Sequence, residues 1–292
     1  MKSMPLLPML LAAFFLGNSV GRADLTVASL STITTDLARK IGGDHVKVVE
    51  IINPGVNPHE FEPTIRDIRR VTDADLVLYT GKGMEGFLPK LREASASKAR
   101  FIDISSGIPS LRMTQEGKEI VEDPHWWHSV SNMKRAARTT VEAFEQADPA
   151  NRNFYENQEH QLLESLSDLE RWIRVKLSEL PRSKRQLVTS HDALQYFARD
   201  YGFTIFPVKG ISTGEEASSK HVKEIIWLIR TQGVKSVFFE SIENNRAIDQ
   251  IGLETGARTG GVLYSDGLGE KEASTYDSMM RHNVSTIVDG LK

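Results

Sequence analysis

The stretch Asn57-Pro58-His59-Glu60-Phe61-Glu62-Pro63 sets one imidazole beside two carboxylates and closes the group with a proline on either side. Three further stretches carry the same kinds of donor: Asp123-Pro124-His125-Trp126-Trp127-His128, Thr189-Ser190-His191-Asp192 and Tyr264-Ser265-Asp266-Gly267. Neutral imidazole nitrogen and carboxylate oxygen are what a divalent transition metal ion takes as ligands, and one carboxylate offsets part of its charge. His59, His125, His191 and Asp266 are therefore the candidate set, and with a doubly charged ion they sum to a net charge of +1. Glu60 and Glu62 are placed to supply outer charge and to orient an imidazole through its second N–H. Pro58 holds Asn57 extended and Pro63 opens the next helix, so His59 sits in a stiff loop that loses little entropy on binding.

Taken singly these residues say less. A lone loop histidine is ordinarily a solvated or hydrogen-bonded surface group, and Asp-Gly is a common turn pair. His128 lies three residues after His125 and would share its face in a helix. Pro124 and a cap at Ser131 place both in a loop, so His125 is preferred. Trp126 and Trp127 read as a packing wall, and His45, His160 and His221 as solvent-facing residues without a role.

Their meaning comes from the elements that hold them. Strands are expected at 24–30, 46–52, 76–79 and 101–104, alternating with helices at 32–41, 64–74 and 84–94. Ser131 is expected to cap an alanine-rich helix running to Ala147. The alternation resumes with strands at 186–189, 204–208, 236–240 and 261–264 and helices at 193–201, 221–232 and 247–255. Such alternation implies parallel sheets with helices on both faces. Between the halves, Leu162, Leu163, Leu166, Leu169, Ile173, Leu177 and Leu180 recur at helical spacing until Pro181. A rod of about 31 residues would be roughly 46 Å long, which suits a connection between lobes. The expected fold is α/β, two lobes of mostly parallel sheet flanked by helices and joined by one long α-helix, with lobes at 24–147 and 181–292 and the linker at 148–180. In open parallel sheets ligands bind beyond the carboxyl ends of the strands. His59, His191 and Asp266 each follow a predicted strand, and His125 precedes the alanine-rich helix, so two donors from each half can meet in a cleft between lobes.

Composition narrows the setting. Lys2, the apolar run 6–16 and the small residues ending at Ala23 read as an export signal, and the run is shorter than the about 20 residues a membrane span needs. Cleavage after residue 23 leaves 34 basic against 39 acidic residues, a net charge of −5, which argues against a nucleic-acid surface. The chain has no cysteine, which excludes disulfides, thiolate metal sites and a cysteine nucleophile, and with them a cysteine-linked lipid anchor. A Gram-negative periplasm is the expected location.

At Asn57-Pro-His-Glu-Phe-Glu-Pro, Asp123-Pro-His-Trp-Trp, Thr189-Ser-His-Asp-Ala-Leu-Gln-Tyr-Phe and Tyr264-Ser-Asp, in that order, the chain resembles the zinc/manganese solute-binding proteins of bacterial ABC importers. The resemblance covers nearly all of residues 24–292. It implies two lobes joined by one long helix and metal ligands at His59, His125, His191 and Asp266. It also implies no catalytic task, and as partners a divalent ion and an ABC permease in the inner membrane, with the chain acting as a monomer. Two departures stand out: Trp127-His128-Ser129 replaces the family's usual Leu-Asp-Pro, and 111–122 lacks the histidine-rich insertion of many zinc members. Histidine in the third motif, where manganese or iron members often carry glutamate, points to Zn2+, with Mn2+ as the alternative. A secreted zinc hydrolase with a three-histidine site and a metal-binding adhesin are the rival readings. No His-Glu-x-x-His helix supports the first, and the missing lipid anchor counts against the second.

Overall fold

The computed structural model describes residues 25–115, 119–211, 214 and 217–292; the expected export signal lies outside the described residues. The first half contains β1 (Leu25–Ser29), α1 (Thr32–Gly42), β2 (Val46–Glu50), α2 (Ile65–Thr72), β3 (Leu76–Tyr79), α3 (Leu88–Ser95) and β4 (Arg100–Asp103). A small antiparallel pair follows, β5 (Arg112–Gln115) and β6 (Glu119–Glu122), and then α4 (Val130–Ala147) and α5 (Arg152–Leu177). The second half contains β7 (Gln186–Thr189), α6 (Gln195–Tyr201), β8 (Thr204–Pro207), α7 (Ser219–Gln232), β9 (Ser236–Glu240), α8 (Arg246–Thr255), β10 (Arg258–Leu263) and α9 (Tyr276–Leu291).

The strands form two parallel sheets, ordered β2-β1-β3-β4 and β10-β9-β7-β8. Read from the other edge, the second is β8-β7-β9-β10, so both sheets have one topology: the first strand of each pairs with its successor on one side and the third strand on the other. Each therefore has a switch point beside its first strand, where the loops leaving the carboxyl ends part to leave a crevice.

Local chemistry sets the helix ends. Ser31 caps α1, accepting from the Thr34 N–H at 3.1 Å while Thr34 Oγ1 accepts from the Ser31 N–H. Thr64 caps α2 in the same reciprocal way with Asp67, directly after Pro63. The cap of α4 is Ser129 and not Ser131: Ser129 Oγ accepts from the Asn132 N–H, so the helix begins two residues earlier than the sequence suggests.

The long helix is shorter than expected. Asp148 accepts from the Asn151 side-chain amide and the Tyr155 hydroxyl, which makes a corner of the segment expected to open it; a 3-10 turn over Pro149–Asn151 intervenes. The 26 residues of α5 make a rod of about 39 Å. Its stripe Leu162, Leu166, Leu169, Ile173 and Leu177 does more than span a gap. It belongs to one continuous core with Val27, Leu76 and Leu78 of the first sheet and Leu187, Phe238 and Leu263 of the second. Smaller cores lie on the far faces, around Val71, Phe87 and Leu91 in the first half and Ile225, Ile229 and Ile251 in the second. Each sheet thus has outer helices of its own and shares the inner layer of α1, α4, α5 and α9.

A candidate metal centre between the sheets

His59 lies in the irregular loop after β2, where its N–H donates to Asn57 Oδ1 at 3.0 Å and fixes a tight turn around Pro58. His125 sits just before a single 3-10 turn, Trp126–His128. His191 follows β7 and Asp266 follows β10, both beyond strand carboxyl ends. One donor atom from each of the four lies within 4.8 Å of every other. Asp266 Oδ1 is 3.1 Å from His125 Nε2, 3.1 Å from His191 Nε2 and 3.6 Å from His59 Nε2. His59 and His125 approach through their Nε2 atoms at 3.2 Å. A tetrahedron with metal–ligand bonds near 2.05 Å has edges of about 3.3 Å, so the spacing suits one small ion at the centre.

The imidazoles are oriented by residues other than those the sequence suggests. Asp123 Oδ1 accepts from both the His125 backbone N–H at 2.9 Å and its Nδ1–H at 2.8 Å. Glu240, the last residue of β9, accepts from the His191 backbone N–H at 3.0 Å and closes on its Nδ1–H with the other oxygen, which also takes the Ser265 hydroxyl at 2.7 Å. A proton held on Nδ1 leaves the Nε2 lone pair for an ion, the usual carboxylate–histidine–metal arrangement. Glu60 and Glu62, expected in this role, are exposed and make no hydrogen bond to an imidazole among the described residues. Neighbours in an extended loop point in different directions, and those side chains turn to solvent. Glu240 could have been found by applying the strand-end rule to the last residue of a strand as well as to the loop beyond it.

His128 is buried but stands apart. Its Nε2–H donates to the Ser265 carbonyl at 2.7 Å, and burial pulls its pKa down to about 4. Trp127 Nε1–H donates to the same carbonyl at 3.1 Å, and Trp126 Nε1–H to the Thr80 carbonyl at 3.0 Å. The two indoles are the expected packing wall, and Trp127 with His128 also ties the first half to the Asp266 loop. His221, read as solvent-facing, bonds the Pro207 carbonyl, and His45 packs edge-on against Phe154.

Electrostatics separate the three imidazoles. Burial pulls His125 down, but the carboxylates of Asp123 and Asp266 outweigh it and carry its pKa up to about 9. His191 is raised well above the usual range, burial being overcome by Asp266 and Glu240. His59, without such a partner, is lowered by burial against a weaker pull from Asp266. Asp266 is held well below the usual carboxylate range, the histidines around it overcoming its burial. With Asp123 and Glu240 counted, a doubly charged ion among neutral imidazoles leaves the centre at −1, not the +1 of the four-residue set.

A two-lobed α/β chain with a buried nitrogen–oxygen cage between its sheets is the architecture of a solute-binding protein. The family model described as zinc-uptake complex component A, periplasmic, matches residues 27–290, and the chain belongs to this family. It is similar to the manganese-binding lipoprotein MntA of Bacillus subtilis (strain 168), 32% identical over 285 residues, covering 94% of this chain and 93% of the relative. It is also similar to the iron-binding protein YfeA of Yersinia pestis, 34% identical over 266 residues, covering 90% of this chain and 85% of that one. Among solved structures, the periplasmic zinc binding protein TroA from Treponema pallidum superposes with a TM-score of 0.86 at 27% identity, covering 92% of this chain and 99% of that chain. The protein is a metal-binding component of an ABC importer and not an enzyme, which sets the hydrolase reading aside.

Proposed function

We propose that the chain captures Zn2+ outside the cytoplasm, holding it with His59, His125, His191 and Asp266, and hands it to a membrane permease for ATP-driven import. The observation that carries this reading is the convergence of the four donor atoms within 4.8 Å of one another, from four separate segments. Three nitrogens and one oxygen at tetrahedral spacing favour zinc. Manganese is the second reading, and one observation favours it: Asp266 Oδ2 is buried with no hydrogen-bond partner among the described residues. A carboxylate using both oxygens would raise the coordination number to five, which suits an ion that prefers oxygen. Relatives named for manganese and iron match most of the chain in sequence, and a solved structure named for zinc matches its fold.

The lobes are taken as 24–147 and 181–292 with the linker at 148–180, and the protein as a periplasmic monomer. The absence of cysteine supports a protein held by its compartment, although several relatives are named lipoproteins. Metal analysis of protein purified from its native compartment, followed by competition between Zn2+ and Mn2+, tests the assignment. One equivalent of zinc that manganese displaces only in large excess is the expected result; a manganese preference would reverse the order, and an unaltered metal content in His59→Ala would sink the ligand set.

A further inference from the structure

We propose that the ion enters and leaves on the His59 side, along the groove beside Glu60 and Glu62, with the His59 ring as the movable ligand. This rests on the reading of the four residues as ligands. Among the described residues, one crevice touches the set at Asp266 and another at His59, and they differ greatly in size. The seam between the sheets, where Thr32, Val56 and Pro58 face Ile242 and residues 266–268, leaves only about 10 Å³, at the limit for a single water. The groove at His59, bounded also by Glu60, Glu62, Gly86, Phe87 and Lys90, holds about 440 Å³ and is open to solvent.

The ligands differ in the same sense. The side chains of His125, His191 and Asp266 are wholly buried at 0% exposure, whereas His59 keeps 8% on the groove wall. His125 and His191 are each clamped at backbone and Nδ1 by one carboxylate, so turning either ring breaks a buried, charge-assisted hydrogen bond. His59 makes no hydrogen bond through Nδ1 among the described residues; beyond the Nε2 contacts with His125 and Asp266 that an ion would replace, its tie is a backbone N–H to Asn57. Its ring is the one that turns without such a loss. Glu60 and Glu62, exposed at the mouth, then attract a hydrated cation through their field.

Gly86 supplies the test. It lies on the groove wall and a Cβ there meets nothing within 4 Å, so Gly86→Phe starts a bulky side chain from open space beside the route. Stopped-flow fluorescence with Zn2+ reads the rates, since the Trp127 ring lies 5.3 Å from the His125 ring; excess chelator reads dissociation. Gly86→Phe should slow association and dissociation together, by about tenfold, with Kd unchanged, because a blocked path alters both directions equally. Glu60→Gln with Glu62→Gln should slow association severalfold and flatten its dependence on ionic strength. Wild-type rates in Gly86→Phe, or a changed Kd with unaltered association, would overturn the route. Failure of the wild-type protein to hold Zn2+ at equilibrium would instead remove the binding reading itself.

Discussion

Glu240 grips His191 at two points, taking its backbone N–H with one carboxylate oxygen and its Nδ1–H with the other. A residue on β9 thereby sets both where the His191 loop leaves β7 and which ring nitrogen is free. The pair joins neighbouring strands at the switch point of the second sheet.

Glu240→Gln should weaken metal binding by about 10–100-fold while the fold persists. The amide can still accept from the backbone, but its NH2 then faces Nδ1 and favours the tautomer with the proton on Nε2, where the ion must sit. Competition against a fluorescent chelator measures the loss, and undiminished affinity would show that Glu240 does not set the tautomer. Asp123→Asn should act on His125 in the same way.

Binding should release about two protons per ion near neutral pH, because His125 and His191 are both raised into the protonated state and must lose that proton to bind. The exchange keeps the centre at one charge: two protons leave and a divalent ion arrives. Affinity should therefore climb as pH rises toward about 9. Stability of the metal-free protein should run the other way. A histidine raised above its unfolded value of about 6.5 contributes stability that is complete below that pH and is lost as pH rises through its folded value. Calorimetry in buffers of different ionisation enthalpy counts the protons, and melting of the metal-free protein from pH 6 to 10 checks the opposite slope.

The convergence of His59, His125, His191 and Asp266 was legible because each lies where chain topology concentrates function, past a strand or at the mouth of a helix, and because three carry recognisable neighbours. The two-sheet plan was legible from alternation, with the strands 76–79, 186–189 and 236–240 matching to the residue. What was not legible depends on contacts across the chain. Glu240 and His191 are 49 residues apart, and nothing local in Ser-Val-Phe-Phe-Glu marks its last residue as a clamp. Glu60 was favoured for adjacency in sequence, which says little about adjacency in space. The β5–β6 pair and α9 were missed, and the choice between Ser129 and Ser131 as cap rested on a two-residue difference that only the hydrogen bond to the Asn132 N–H decides.

His128 and His191 give opposite expectations from the same substitution. His191→Ala removes a donor and should abolish stoichiometric metal, read by elemental analysis. His128→Ala should keep its metal and lose stability instead, by about 1–3 kcal/mol, because it leaves the buried Ser265 carbonyl without this donor. His128 also contributes to acid sensitivity: with a pKa lowered to about 4, the stability of its buried neutral form is present above about 6.5 and is lost as pH falls through 4. Loss of metal from His128→Ala with the fold intact would make it a ligand after all.

Lobe movement on metal binding should be small. The inner layer is one apolar core that reaches both sheets, so separating them would expose Leu169 and Ile173, both 0% exposed, along with the buried face of α9. Polar ties add to it: Leu268 N–H donates to Thr32 Oγ1 at 2.8 Å and Tyr276 N–H to Asp36 Oδ2 at 3.0 Å. Scattering profiles with and without Zn2+ should nearly coincide, and a large closure would contradict the shared core. Leu169→Ala is the complementary test, costing about 2–5 kcal/mol. Because that side chain serves both sheets, the variant should still unfold in a single transition at lower denaturant, whereas two separated transitions would mean that the halves are stabilised independently.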